Sequence, residues 1–88
     1  MPLDLSKVSQ ENADKEILRI GMLAELDAIN LYEQMAAMAQ DGNLKKVLLD
    51  VAKEEKTHVG EFQAMLLKAD QEQAEELKEG EKEIEEMS

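Results

Sequence analysis

The sequence predicts an all-α protein, in which a two-helix antiparallel hairpin is followed by a short C-terminal helix. Of its 88 residues 43% are apolar, but only one Tyr and one Phe are present, and Ala, Leu, Glu, Lys and Met are abundant. This composition is typical of helices and unlike that of strands. Apolar residues also recur at helical spacing in two long segments, and an Asp-Gly-Asn turn separates them.

The first helix is predicted over residues 13–40. An irregular lead, residues 1–12, comes before it, and Ser6 or Ser9 is available to cap the helix. Only Gly21 interrupts the helical pattern between the lead and the turn. The whole chain is short enough to be a single domain.

The second and third helices are predicted over 44–69 and 71–87. Gly42 is expected to stop the first helix, and Asn43 to cap the second. The third helix is acidic and weakly amphipathic, and Gly80 weakens it further.

Charge and cysteine content narrow the classes of function. The formal net charge is −11, and residues 70–88 carry nine acids against two lysines. Such a surface makes nucleic acid and anionic membranes poor partners and cations plausible ones, although a solvated helix face also explains the acidic tail. Without cysteine, disulfides and thiolate metal sites are excluded. We find no signal peptide and no apolar span, so we expect a cytoplasmic protein that does not enter a membrane.

The first helix is apolar on more than one side. Between Ile17 and Ala39, sixteen of twenty-three residues are apolar. One neighbouring helix cannot cover such a surface, so the pattern predicts an oligomer. A transmembrane span is disfavoured because four charged residues lie within this segment.

Three polar residues lie on apolar stripes. Glu25 is in line with Leu18 and Ile29 on the first helix, while Glu55 and His58 are in line with Leu48 on the second. The full stripes predicted for the two helices are Leu18, Met22, Glu25, Ile29, Tyr32 and Ala36, and Leu44, Leu48, Val51, Glu55, His58, Phe62 and Met65. A carboxylate among apolar side chains costs several kcal/mol unless a cation or hydrogen bonds compensate it.

The hairpin places these residues at similar heights. At 1.5 Å per residue, Glu25 lies roughly 22 Å from the turn, and Glu55 and His58 lie roughly 16 and 21 Å from it. A Glu facing a Glu-x-x-His pair is half of the ligand set of ferritin-like di-iron bundles. Two hairpins related by a two-fold axis would complete that set and would cover the apolar surface. Iron or manganese suits these ligands, and zinc also binds them.

The same residues can also be explained without a metal site. The Glu-x-x-His spacing arises by chance in many helices, and the chain would then be a helical-hairpin oligomerisation module whose acids are protonated or paired with lysines. Tyr32 is either a core residue with a polar tip or a hydrogen-bond partner of a ligand carboxylate. The methionines are better explained by packing than by metal binding.

The stretches ELDAINLYEQ and EEKTHVGEF resemble the encapsulated ferritins, short ferritin-like and rubrerythrin-related proteins carried in encapsulin nanocompartments. The resemblance covers roughly residues 13–70. It implies a ferroxidase centre between two subunits, with one iron per chain, in dimers that commonly form a decamer of five. It also implies that Glu25, Glu55 and His58 are iron ligands and that Tyr32 lies near them. The reaction would oxidise Fe(II) to Fe(III) for storage or detoxification inside the encapsulin shell.

The chain departs from that family at several positions. The family has acids one residue before and two residues after the first ligand Glu, at a site where the metal enters; here these positions are Ala24 and Asp27. Leu31 replaces a tryptophan, and the final residues, EIEEMS, contain no recognisable shell-targeting peptide. We therefore expect one of three origins for the chain: a truncated protein, part of a longer fusion with the shell protein, or a relative that works unenclosed. A rubrerythrin-like peroxide reductase is the alternative enzyme, although the lack of cysteine argues against a self-contained one.

Overall fold

The computed structural model describes residues 12–88, and most of this range is helical. Three helices follow in order, α1 (Ala13–Met38), α2 (Gly42–Ala69) and α3 (Gln71–Met87), and no strand occurs within this range. α1 and α2 form a hairpin, and α3 packs on α2. The predicted all-α fold is confirmed. The molecule measures 46 × 42 × 19 Å, so the hairpin is a single layer of helices.

The turn between α1 and α2 differs from the prediction. Asp41, not Asn43, caps α2, because its extended backbone lets the carboxylate accept a 2.8 Å hydrogen bond from the amide of Leu44. Gly42 does not stop α1. It is the first residue of α2, and no described glycine has a positive φ. α1 instead ends at Met38, two residues earlier than predicted, because Ala39 adopts an extended conformation.

The start of α1 lies at the edge of the described range. The carbonyl of Asn12 accepts a 3.1 Å hydrogen bond from the amide of Glu16, which closes the first turn. Ser6, Ser9 and the rest of the predicted lead, 1–11, lie outside the described residues.

The core of the hairpin is small. Its buried side chains are Leu18, Ala36, Ala52 and Leu66. On α2 the two ends of the predicted stripe, Leu44 and Met65, are exposed in the hairpin. Helical geometry accounts for the exposure of Met65. A residue eighteen positions after Leu48 completes five turns, and Met65 lies about 100° short of that position. Leu66 therefore occupies the core position in its place.

Asp70 joins α3 to the hairpin. Its carboxylate accepts hydrogen bonds from the backbone amide of Gln73, at 3.1 Å, and from the guanidinium of Arg19 on α1, at 2.7 Å. The hydrogen bond from Gln73 and the positive charges of Lys15 and Arg19 hold the pKa of Asp70 below its usual 3.8, against a smaller opposing effect of burial. One side chain thus caps α3 and ties it to α1.

Candidate metal centre

Glu25, Glu55 and His58 converge midway along the hairpin. Nδ1 of His58 lies 3.3 Å from Oε2 of Glu25 on the opposite helix and 3.4 Å from Oε2 of Glu55, one turn earlier on its own helix. The three donor atoms all lie within 4.8 Å of one another. The structure thus brings together the three side chains that the sequence singles out, while their role as ligands remains a prediction.

The donor spacing is compatible with a shared cation as well as with a long hydrogen bond between His58 and Glu25. Contacts of 3.3 and 3.4 Å are longer than the usual N–H···O distance, and one Nδ1 carries at most one hydrogen for two oxygens. With metal–ligand bonds of about 2.0–2.2 Å, neighbouring donors are separated by about 2.8 Å at a right angle and up to about 3.6 Å at a tetrahedral angle. Both observed distances fall in this range. One imidazole nitrogen and two carboxylate oxygens also form a donor set that binds divalent transition metals.

The centre is partly buried and open on one side. The side chains of Glu25 and Glu55 are each 19% exposed, whereas that of His58 is 43% exposed. Two carboxylates held at this depth repel each other and lose part of their hydration, so a cation between them would remove a cost that the apoprotein carries. His58 remains the more accessible donor.

An apolar row of α1 lies beside this opening. Ile17, Ala24, Leu31 and Met38 are seven residues apart and therefore share one side of α1, and all four are exposed. Each lies about 80–140° around the helix from Glu25, on the same side of the hairpin as the exposed part of His58. A repeat of seven is typical of a seam between packed helices. The sequence contains this signal, although the broad apolar character of the helix obscures it.

α2 extends the same surface. Met65 shares a depression with Ile17, and Val47 and Leu44 occupy the equivalent side of α2 near the turn. We call this surface the triad face; it comprises the three polar residues and the exposed apolar residues Ile17, Ala24, Leu31, Met38, Leu44, Val47 and Met65. The opposite face carries α3 and the ion pair of Lys56 with Glu33, at 3.1 Å. A polar centre bordered by uncovered apolar side chains is the composition expected of an interface.

The remaining candidate residues are near the centre but not part of it. Tyr32, two turns after Glu25, is half-buried, and the described residues include no hydrogen bond between its hydroxyl and the triad. Asp27 is exposed and lines a shallow depression of about 360 Å³ with Ile20, Leu23 and Ala24. Its role in metal entry is untested.

Sequence reasoning missed a contact beside the triad. The ring of Phe62 packs directly against the backbone of Gly21. The signal was available, because Gly21 lies one turn before Glu25 and Phe62 one turn after His58, on stripes that face each other.

Within residues 12–88, no helix is long and apolar enough to cross a membrane.

Comparison with known proteins identifies relatives over nearly the whole chain. A family model described as EncFtn-like matches residues 3–82. A ferritin-like-encapsulin shell fusion protein of Pyrococcus furiosus is 62% identical over 73 residues, which are 83% of this chain and 21% of that protein. The crystal structure of an encapsulated ferritin domain from Pyrococcus furiosus superposes with a TM-score of 0.89 and 48% identity, covering 100% of this chain and 95% of the other. This chain thus spans about a fifth of the length of the fusion protein that it matches.

Proposed function

Because this chain belongs to the EncFtn-like family, we propose that it is a ferroxidase, which oxidises Fe(II) to Fe(III) at a dinuclear centre shared by two copies of the chain. The observation that carries the proposal is the convergence of Glu25, Glu55 and His58 at donor spacing on an uncovered apolar face. The oxidised iron would be stored or detoxified.

Two copies are proposed because one copy is incomplete in two respects. Three donors cannot fill the coordination sphere of an iron ion, and the exposed apolar residues of the triad face lack a covering layer. A two-fold axis through the triad face would assemble four carboxylates and two imidazoles while burying those residues. The same dimer thus supplies both missing elements.

The residues of the proposed centre have distinct roles. Glu25 and Glu55 supply negative charge that balances the bound cations, and His58 supplies a neutral nitrogen donor. Two Fe(II) substrate ions release one electron each; with two protons, these reduce dioxygen to hydrogen peroxide and leave two Fe(III). Tyr32 is proposed to donate a hydrogen bond to a ligand carboxylate once the dimer forms, and Asp27 to attract Fe(II) towards the centre.

We further propose that the protein acts together with an encapsulin shell. Its Pyrococcus furiosus relative is described as a fusion of a ferritin-like part with an encapsulin shell protein, and the chain corresponds in length to a small part of that fusion. Iron oxidised at the dimer would be stored as mineral inside the shell, within the cytoplasm. Five dimers in a ring are the assembly proposed for the full oligomer.

Anaerobic titration with Fe(II), followed by admission of air, tests the function. We expect about one iron per chain and rapid oxidation in the parental protein, and loss of oxidation with retained helicity in Glu55→Ala and His58→Ala. Glu33→Ala is the matched control, since Glu33 pairs with Lys56 on the opposite face. Absence of iron binding would leave the oligomerisation module as the explanation. Faster consumption of peroxide than of dioxygen would instead identify a peroxide reductase.

A further inference from the structure

Gly21 and Phe62 form the layer of the hairpin next to the proposed centre. A Cβ built on Gly21 would lie 3.3 Å from Cε2 and Cζ of the Phe62 ring and 3.4 Å from Cδ2. Such distances are at or below the limit of ordinary van der Waals contact, and the ring fills the space that a side chain at position 21 would need. Glycine here therefore serves close packing between helices.

This layer is adjacent to the triad along both helices. Gly21 lies four residues before Glu25, and Phe62 lies four residues after His58, so the Gly21–Phe62 pair stacks beside the Glu25–His58 pair in the antiparallel hairpin. The two layers are only about 6 Å apart along the helix axis, at 1.5 Å per residue. Over one turn an α-helix behaves as a rigid rod, so a change in helix separation at the first layer also reaches the second.

We propose that Gly21 is a positioning residue of the metal centre: its missing side chain admits the Phe62 ring and thereby sets the α1–α2 separation at which Glu25 and His58 can bind the same ion. The inference rests on the proposed metal site and goes beyond it, because Gly21 offers no donor atom. Its effect is transmitted through Phe62 and the spacing of the helices.

The tolerance of metal coordination makes this spacing critical. A methyl group at position 21 would displace the ring or α1 by a few tenths of an ångström, since the ring edge already lies at 3.3 Å. Metal–ligand distances vary by only about 0.2 Å in working sites. Because Oε2 of Glu25 and Nδ1 of His58 are already 3.3 Å apart, further opening would draw one donor away from the ion.

Gly80 provides a matched control. It also lies inside a helix, and nothing lies within 4 Å of a Cβ built there. Alanine is the better helix former at both positions, so both substitutions favour the helical state through local propensity. Only the substitution at position 21 meets the ring.

The test is Zn(II) binding by calorimetry in the full chain, with urea unfolding of the metal-free protein in parallel. We expect Gly21→Ala to weaken Zn(II) binding by about tenfold, the lower end of the effect typical of residues that orient ligands. Gly80→Ala should leave affinity unchanged. If Gly21 has only a structural role, Gly21→Ala should lower the urea midpoint and leave the Zn(II) affinity of the folded protein unchanged.

A second pair of variants tests the mechanism even if Gly21→Ala fails to fold. Phe62→Leu shortens the side chain that occupies the gap, so adding Gly21→Ala in that background should fill space and strengthen Zn(II) binding relative to Phe62→Leu alone. The methyl group would thus have opposite effects in the two backgrounds. Equal affinity with and without it in the Phe62→Leu background overturns the inference, as does parental affinity in Gly21→Ala. Absence of Zn(II) binding in the parental protein would instead refute the metal site itself.

Discussion

Replacing Met65 by Glu should dissociate the proposed dimer and abolish iron binding at the shared centre. Met65 is 60% exposed on the triad face, two turns after His58, and shares a depression with Ile17. It offers no ligand to the centre, so loss of metal binding would have to arise from loss of the partner. The substitution changes the interface while sparing the three proposed donors.

The magnitude follows from the exposed fractions of the apolar triad-face side chains. Six large ones, at positions 17, 31, 38, 44, 47 and 65, are between 45% and 80% exposed. Fully burying such a side chain stabilises by about 1.5–3 kcal/mol, so covering the exposed half contributes about 1 kcal/mol each, or about 12 kcal/mol over two copies. Association itself costs about 4–15 kcal/mol. The margin between the gain from burial and the cost of association is therefore small. A glutamate buried in both copies should weaken the dimer by at least about 4 kcal/mol, roughly a thousandfold in Kd.

Light scattering after size exclusion, with iron stoichiometry on the same fractions, measures both effects. Met87→Glu is the matched control, because it adds the same charge at an exposed methionine of α3, outside the triad face. We expect Met65→Glu to elute as a helical monomer without iron and Met87→Glu to retain parental iron binding. If Met65→Glu keeps both its mass and one iron per chain, the triad face is not the interface.

Two predictions concern the helix caps. Asp41→Ala should lower the free energy of unfolding by about 1 kcal/mol, because the hydrogen bond to the amide of Leu44 is lost. Asn43→Ala should change it by less than about 0.5 kcal/mol. If urea unfolding shows the reverse order, Asn43 is the cap of α2. Since the pKa of Asp70 is lowered in the folded state, its charge should stabilise the protein above the unfolded pKa, and this contribution should disappear as pH falls through the lower folded value. Asp70→Asn should therefore be less stable than the parental protein at pH 7 and approach it below about pH 4, in unfolding curves recorded across pH. A difference that is constant from pH 7 to pH 2 would show that the charge of Asp70 is not responsible.

Much of the fold was predictable because helical periodicity and the Asp-Gly-Asn turn are local signals. The third helix was predicted over 71–87 and is observed as Gln71–Met87. The cap of α2 was not predictable, because Asp41 and Asn43 have equivalent capping chemistry and only the path of the turn selects between them. The exposure of Met65 within one hairpin was not predictable from the stripe, because a strict three-and-four spacing drifts around the helix over seventeen residues and Leu66 is the buried residue.

The candidate site was predictable as a set of residues and not as a geometry. A carboxylate and a Glu-x-x-His pair on facing stripes, at similar distances from one turn, are sufficient to place Glu25, Glu55 and His58 together. The contact of Gly21 with Phe62 depends on a few tenths of an ångström between two helices, and residue spacing carries no such information. Covering of the triad face requires a second copy, whose arrangement a single chain does not determine.

Anomalous diffraction at the iron edge, from crystals of the parental protein loaded with Fe(II), tests the shared centre most directly. We expect two peaks related by a two-fold axis between chains, each next to Glu25, Glu55 or His58 side chains of both copies. Peaks confined to one chain with no second copy nearby, or no peak at the triad, would contradict the dinuclear centre.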